Sequence, residues 1–348
     1  MEALDLVQML AGWPITITPS LALTPLAGGT NNQAWLVETA GASYVLRLSH
    51  SVGVDEQAHL RYEVALLAAL RAHALAFSVP CPLLTLQEEL FLLVKHGEGT
   101  VMAVLTPFLP GCIPERTASN IVSAGIALAQ LDGALASVSA STLPASVEIT
   151  KFLYGDLLHC HPLVSNPFAT VEQILEPDQA RPLRAIFEHT QHDWEALCTQ
   201  DLPQQILHRD YGPGNVLMEQ QHVTALLDFE FAGRDHRLFD LCVALSWWPV
   251  RAMGTGREWE LIDAFGRAYT ALFPLTEEEL LALPAAFRMR DTTSLVYRIG
   301  RYLAGLETRQ TILERVQHSF WREEWLLANQ ATLLKHLLSW RGISTDSF

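Results

Sequence analysis

Short apolar runs separated by glycine open the chain. Over residues 20–50, "LALTPLAGG", "NQAWLVETAG" and "ASYVLRLS" read as an antiparallel β meander. The spacing then changes. In "DEQAHLRYEVALLAALRAHAL", Leu60, Val64, Leu67, Leu70 or Arg71, and Ala74 recur at helical intervals, with Asp55 as N-cap, so residues 55–75 predict an amphipathic helix. "PLLTLQ", "LFLLVKHG" and "VMAVLTPFL" predict more strands, and Thr106–Gly111, "TPFLPG", reads as a linker because it holds two prolines and a glycine. Beyond Thr117 the stretches "ASNIVSAGIALAQLDGALAS", "DQARPLRAIFEHTQHDWEALC", "EWELIDAFGRAYTALF" and "EEELLALPAAFRMRDTTSLVYRIGRYLAG" are helical in pattern. The strong β signal in this second part is confined to Ile206–Phe231. The expected organisation is α+β and bilobal. Residues 1–106 form an antiparallel sheet lobe with one helix, residues 107–111 a hinge, and residues 112–348 a mainly helical lobe.

Composition narrows the class. The chain has 348 residues, 49% hydrophobic and 18% charged, enough for a sizeable core. A formal net charge of -15 argues against nucleic acid as partner and is compatible with a cationic or amine-bearing small molecule. The five cysteines, Cys81, Cys112, Cys160, Cys198 and Cys242, show no C-x-x-C spacing. They predict neither a disulfide framework nor a zinc site and point to a reducing cytoplasm. "MEALDLVQML" lacks a basic segment followed by a long apolar run, so it does not read as a signal peptide, and no apolar stretch reaches membrane-spanning length.

The chemistry concentrates in "ILHRDYGPGNVLMEQQHVTALLDFEF", Ile206–Phe231. His208-Arg209-Asp210 followed by Asn215 fits H-R-D-x-x-x-x-N, a pattern found in phosphoryl-transfer loops. An Asp there can orient or accept the proton of an attacking hydroxyl, and the Asn can hold a metal. Gly212, Pro213 and Gly214 predict a sharp turn between them. The next strand, "VTALLDF", ends in Asp228, whose carboxylate suits Mg²⁺. A polar hairpin turn is the plain alternative. It accounts for any one of these features but not for HRD, the spacing to Asn215, the glycines and Asp228 together.

These motifs resemble the aminoglycoside phosphotransferase and choline kinase superfamily, which has a protein-kinase-like fold and includes homoserine kinase-like members. "LTPLAGGTNNQAWLVETAGASYVLRLS" is similar to that family's first hairpin, with Gly28, Gly29 and Asn32 at its nucleotide-loop positions. "LLDFEFAGRDHRLFDLCVAL" is similar to its metal-binding strand and the helix whose Asp240 braces the catalytic loop. The resemblance implies ATP- and Mg²⁺-dependent phosphorylation of a small-molecule hydroxyl. It implies adenine against Pro107 to Leu109, Arg47 on phosphate, Glu63 positioning Arg47, Asn215 and Asp228 on Mg²⁺, Asp210 at the acceptor hydroxyl and His208 as scaffold. Two departures stand out: the glycine loop is not G-x-G-x-x-G, and Arg47 stands where Lys is common. Strand alternation independently separates Arg47, with Val45 and Ser49, from Tyr44, Leu46 and Leu48. Glu63 falls on the buried stripe of its helix between Leu60 and Leu67, with Glu56 as the alternative partner.

Asp228 and Asp240 lie twelve residues apart, too close for the long activation segment of a protein kinase. A small-molecule kinase follows, with an inactive kinase-like nucleotide-binding module as the competing class. The acceptor candidates are homoserine, an amino alcohol, an aminoglycoside or a sugar-like metabolite. Glu230 and the Trp247-Trp248 pair are candidates for an amine-binding pocket, against core packing for the two rings. His159 and His161 in "HCHP" read as loop histidines in the absence of a third ligand.

Overall fold

A computed structural model describes residues 6–26, 33–51, 54–96, 99–144 and 154–342. The chain folds into two compact units. The first gathers Met1–Cys112, Ser137–Val147 and Val216–Glu230, and the second Ile113–Ala136, Glu148–Asn215 and Phe231–Phe348.

The first unit is built on a five-stranded sheet: β1 (Ala22–Leu26), β2 (Gln33–Glu38), β3 (Ser43–Ser51), β4 (Leu92–His96) and β5 (Gly99–Pro107). The strand order is β1-β2-β3-β5-β4 and every pairing is antiparallel. Both faces are covered, which explains why β5 reads as the continuous apolar run "VMAVL" rather than an alternation. Val101, Ala103 and Leu105 join Leu46 and Leu48 of β3 against Met9 and Leu10 of a short helix, α1 (Leu6–Leu10), and against Trp13. Met102 and Val104 turn the other way, onto Leu60 and Val64 of α2 (Val54–Leu70). Arg47, offset by one residue from Leu46 and Leu48, is therefore on the α2 side.

"PLLTLQ" is not a strand. Pro82 cannot donate to a ladder, and the Thr85 hydroxyl instead accepts the amides of Gln87 (3.2 Å) and Glu89 (3.1 Å), closing a turn. The hairpin of β7 (Val216–Glu219) and β8 (His222–Leu226) belongs to this unit. Cys112 bridges Met218, Ser78 bridges Ala225, and the Thr224 hydroxyl donates to the Pro110 carbonyl at 2.8 Å. Gly111, at φ +129°, makes that approach possible, since a Cβ there would lie 2.5 Å from the Thr224 oxygen.

The second unit holds α3 (Ala118–Ser137), α4 (Pro167–Ile174), α5 (Pro177–Cys198), α6 (Leu238–Trp247), α7 (Glu258–Thr270), α8 (Glu277–Leu303) and α9 (Arg309–Ser339). It also holds the strand pair β6 (Gln204–Leu207) and β9 (Gly233–His236). Leu183 and Phe187 of α5 pack with Leu295, Val296 and Ile299 of α8 and with Ile312 and Val316 of α9. Helix α6 is buried from Leu238 through Ser246, the expected state of a helix that is apolar all round. Its one charged residue is Asp240, fully buried. The class expected from the pattern, an antiparallel sheet unit and a helical unit, is the observed one. All five cysteines are free. Among the described residues no helix is long and apolar enough to cross a membrane.

Helices α3 and α7 touch at a glycine. A Cβ on Gly125 would fall 2.6 Å from the Phe265 carbonyl oxygen, whereas one on Gly133, in the same helix, meets nothing within 4 Å. Gly→Ala gains up to about 1 kcal/mol of helix propensity, but overpacking against backbone costs about 1–3 kcal/mol. Gly125→Ala should therefore lower the denaturant midpoint and Gly133→Ala should raise it. Equal shifts in urea titrations of the two variants would contradict this packing.

Candidate active site

In the second unit the loop after β6 is an island of polarity in a buried frame. His208, Arg209, Tyr211, Gly212 and Pro213 are buried, while Asp210 and Asn215 are half-exposed. The frame starts at Asp240. Its Oδ2 accepts the His208 amide at 2.7 Å and its Oδ1 the Arg209 amide at 2.6 Å. Arg209 adopts φ +66°, a left-handed conformation unusual outside glycine. The sharp bend therefore lies at Arg209; neither Gly212 nor Gly214 has positive φ, and Pro213–Asn215 is a 3₁₀ turn. The Arg209 guanidinium descends to the Arg234 carbonyl (2.9 Å) and to Asp235 (3.0 Å), both groups of the ion pair being almost wholly buried. Asp235 also accepts the Tyr154 and His236 amides, and the Tyr154 hydroxyl donates to the Arg209 carbonyl at 2.7 Å. Tyr211 points inward and donates to the Ala124 carbonyl of α3 at 2.8 Å.

On this frame the His208 Nδ1 accepts the Asp210 amide at 3.2 Å, so that nitrogen carries no proton. The Asn215 amide nitrogen donates to both the carbonyl (2.8 Å) and the carboxylate (2.9 Å) of Asp210. Both bonds use Nδ2, which orients the Asn215 carbonyl oxygen as the end left for a ligand.

Below Asp240 lies a second buried acid. Asp132 of α3 accepts the Tyr269 hydroxyl at 2.7 Å and shares a hydrogen bond with Asp240. Burial, then the charge of Asp240, push the Asp132 carboxyl well above its ordinary range. Asp132 is thereby the partner held protonated. The Asp132 Oδ1 meets no N–H or O–H donor, and a protonated oxygen needs none.

The first unit carries the other predicted groups. The Arg47 guanidinium and the Glu63 carboxylate form a two-pronged pair, 2.7 Å on each arm, with Glu63 only 1% exposed. Burial works to lower the Arg47 pKa, but Glu63, then Asp228 and Glu230, outweigh it and the value is raised. Asp228 is exposed, two residues past β8, at φ +62°; Glu230 is half-buried. Pro107 ends β5 opposite Tyr44, and Leu109 follows it half-buried. Gly28, Gly29 and Asn32 lie outside the described residues, as does the side chain of Glu56.

The Trp pair divides. Trp248 is fully buried against Tyr211 and Phe265, so it presents no face to a ligand. Trp247 is half-buried, and the Arg290 guanidinium already lies 4.9 Å over its ring. His159 binds Asp156 at the surface, while His161 meets Tyr297 edge to face. Among the described residues no three His, Cys, Asp or Glu side chains gather as a metal cluster. Arg209, Asp235, Tyr154 and Asp132 were not singled out from sequence. Arg209 was in view within the HRD string, whereas the other three act through partners distant in the chain.

Residues 22–281 match the phosphotransferase enzyme family, and the chain belongs to it. An uncharacterized protein of Deinococcus radiodurans is 30% identical over 267 residues, covering 76% of this chain and 72% of its own. A homoserine kinase of Methylobacillus glycogenes is 28% identical over 277 residues, covering 77% and 76%. Among solved structures, a microcompartment-associated aminopropanol kinase aligns at TM-score 0.68 with 17% identity, over 96% of this chain and 97% of that one. An amicoumacin kinase in complex with AMP-PNP and Ca²⁺ aligns at TM-score 0.67 with 15% identity, over 92% of each. At such identities these structures share the kinase-like fold.

The Asp132–Asp240 pair makes a pH prediction. A carboxyl whose pKa is raised on folding adds stability fully present below its unfolded value, near 3.8, and lost as the pH rises through its folded value. Asn cannot ionise but keeps an acceptor for Tyr269 and a donor for Asp240. The thermal midpoint of wild type should therefore fall relative to Asp132→Asn as the pH rises from 5 to 8. Asp132→Leu strands both partners and should cost about 1–3 kcal/mol. Parallel midpoint curves for wild type and Asp132→Asn would mean that Asp132 is ionised in the fold.

Proposed function

We propose that this phosphotransferase is an ATP- and Mg²⁺-dependent kinase that phosphorylates a hydroxyl of a small molecule: an amino alcohol, homoserine, an aminoglycoside or a sugar-like metabolite. The observation that carries the reading is the loop 208–215, where a buried, multiply braced frame holds two half-exposed polar side chains, Asp210 and Asn215, to one another. In this reading the Asp210 carboxylate orients the acceptor hydroxyl and takes its proton. Arg47, held at both guanidinium ends by Glu63, binds nucleotide phosphate, with the hairpin at Gly28, Gly29 and Asn32 over the nucleotide and Pro107 and Leu109 against the base.

The donor set fits the cation. Asn215 offers a carbonyl oxygen and Asp228 an exposed carboxylate, both hard oxygen ligands. Two protein ligands are few for a dedicated cage but suit Mg²⁺, which takes one or two carboxylates plus substrate phosphates and keeps its waters. When bound, the metal nucleotide supplies the phosphoryl group and neutralises charge on it; the chain supplies position and a proton acceptor. Relatives named as homoserine kinases and the aminopropanol kinase neighbour support a small hydroxylated acceptor. The twelve-residue interval from Asp228 to Asp240 supports it over a protein substrate. Five free cysteines support a cytoplasmic setting.

Two variants test the assignment. Asp210→Asn should lower kcat by about 100- to 10,000-fold, the usual reach of a general base, with ATP affinity and thermal midpoint preserved. Near wild-type turnover would remove Asp210 from the reaction, and an inactive wild type across hydroxylated metabolites would leave only the nucleotide-binding reading. Asp228→Ala should weaken nucleotide binding in calorimetry far more with Mg²⁺ than without. An equal loss in both conditions would rule out a metal-ligand role.

A further inference from the structure

Each peptide plane of the bend carries its own restraint. Asp240 takes the N–H groups of His208 and Arg209, and Asn215 donates to the carbonyl of Asp210 on the plane that follows. The plane between, joining Arg209 to Asp210, has two. Its N–H donates to the His208 Nδ1 at 3.2 Å, and its carbonyl accepts the Tyr154 hydroxyl at 2.7 Å, the shorter bond of the pair. This plane bears directly on the chemistry. A planar peptide turns only about the ψ before it and the φ after it. Here those are the ψ of Arg209 and the φ of Asp210, so the plane sets the direction in which the Asp210 side chain leaves the chain. Arg209 occupies the small left-handed region, at φ +66°, where a modest change of ψ meets a steric wall. The plane therefore has little room to turn without undoing the bend.

Tyr154 is itself held from three sides. Its amide donates to Asp235 at 3.0 Å, and its ring lies 5.0 Å from that of Phe239, the neighbour of Asp240 in α6. The next amide, of Gly155, donates to the Thr293 hydroxyl of α8 at 2.9 Å, and that hydroxyl donates to the Met289 carbonyl. Gly155 sits at φ +97°, and a Cβ there would fall 2.6 Å from the Met289 sulfur and 2.9 Å from the Trp194 ring. The segment is thus seated on α8 with no slack. A phenylalanine would fill the same space against Phe239, so the hydroxyl is the part that packing does not require. Burial pushes its pKa up, which keeps it a donor.

We propose that Tyr154 is a positioning residue for Asp210: its hydroxyl latches the Arg209–Asp210 peptide plane, and Gly155 anchors that latch to α8. The effect on turnover rests on the kinase reading, but the latch itself does not. Tyr154→Phe keeps the ring and removes the latch. Turnover is measured on the full chain, with the better of L-homoserine and 3-amino-1-propanol as acceptor, at a temperature where circular dichroism shows both proteins folded. Its kcat should fall about 10- to 100-fold, the cost of a misaimed group, while AMP-PNP affinity in calorimetry stays unchanged. Hydrogen exchange followed by NMR reads the latch directly. The Asp210 amide should speed up about tenfold or more over any change in the α6 amides, which report general stability. Thr293→Val removes the anchor and should give the same split in smaller measure; it carries the test if Tyr154→Phe does not fold. Unchanged kcat, a loss of AMP-PNP affinity matching the loss of turnover, or equal acceleration at Asp210 and in α6 would overturn the proposal. A wild type that phosphorylates neither acceptor would count against the kinase reading, and the exchange ratio would still decide the latch.

Discussion

Two adjacent backbone N–H groups converge on one carboxylate, and the active loop depends on that contact. Successive amides point the same way only where the chain bends sharply, and the bend at Arg209 is left-handed. Such a conformation costs about 1–3 kcal/mol for a residue with a side chain. Hydrogen bonds to a charged acceptor contribute about 1.5–3 kcal/mol each, so Asp240 can hold the strain with its two. The bend sends the Arg209 side chain down to Asp235 and leaves Asp210 on the accessible side. Asp240 is itself a charge in the middle of an apolar helix. Its desolvation is offset by the two amides above and by the protonated Asp132 below, which Tyr269 in turn orients. The geometry of the loop is thus set by a stack running from α7 through α3 and α6.

The first unit solves a different problem with the same economy of charge. A guanidinium on a sheet face under a helix would be costly alone. Strand alternation puts Arg47 on the α2 side, and helical spacing puts Glu63 on the stripe that α2 turns to the sheet. The two-pronged pair follows from both periodicities. Breaking one partner of a buried pair costs more than the pair contributes, so the arrangement is better explained by holding a cation in a fixed place than by stability.

Much of this was legible because it is periodic. Helix α3 spans Ala118–Ser137, the bounds that its apolar pattern predicts. The Arg47–Glu63 partnership followed from two local periods. What escaped was non-local or overridden. "PLLTLQ" has strand composition, but it opens on Pro82, which has no donor, and after one amide bond from Leu83 to the Leu105 carbonyl it closes into the Thr85 turn. The HRD string marked the polar residues, yet the glycines beside Asp210 looked like the turn while Arg209 makes it. Asp132 reads in sequence as one polar position on an apolar helix. Its role depends on Tyr269, 137 residues away, and on Asp240. Helix α9, Arg309–Ser339, passed unremarked because its apolar positions are diluted by charged and amide residues over its whole length.

The net charge was the least informative number of all, and for a physical reason. Charges separated by more than about 10 Å in water at ordinary ionic strength are largely screened, so -15 spread over a large surface says little about any one recess. A small ligand responds to the few groups within hydrogen-bonding reach. The acidic total is compatible with an amine-bearing partner without selecting one, and the Trp247-Trp248 pair was a pocket candidate set against core packing. In the fold, one ring is core and the other is already occupied by an arginine.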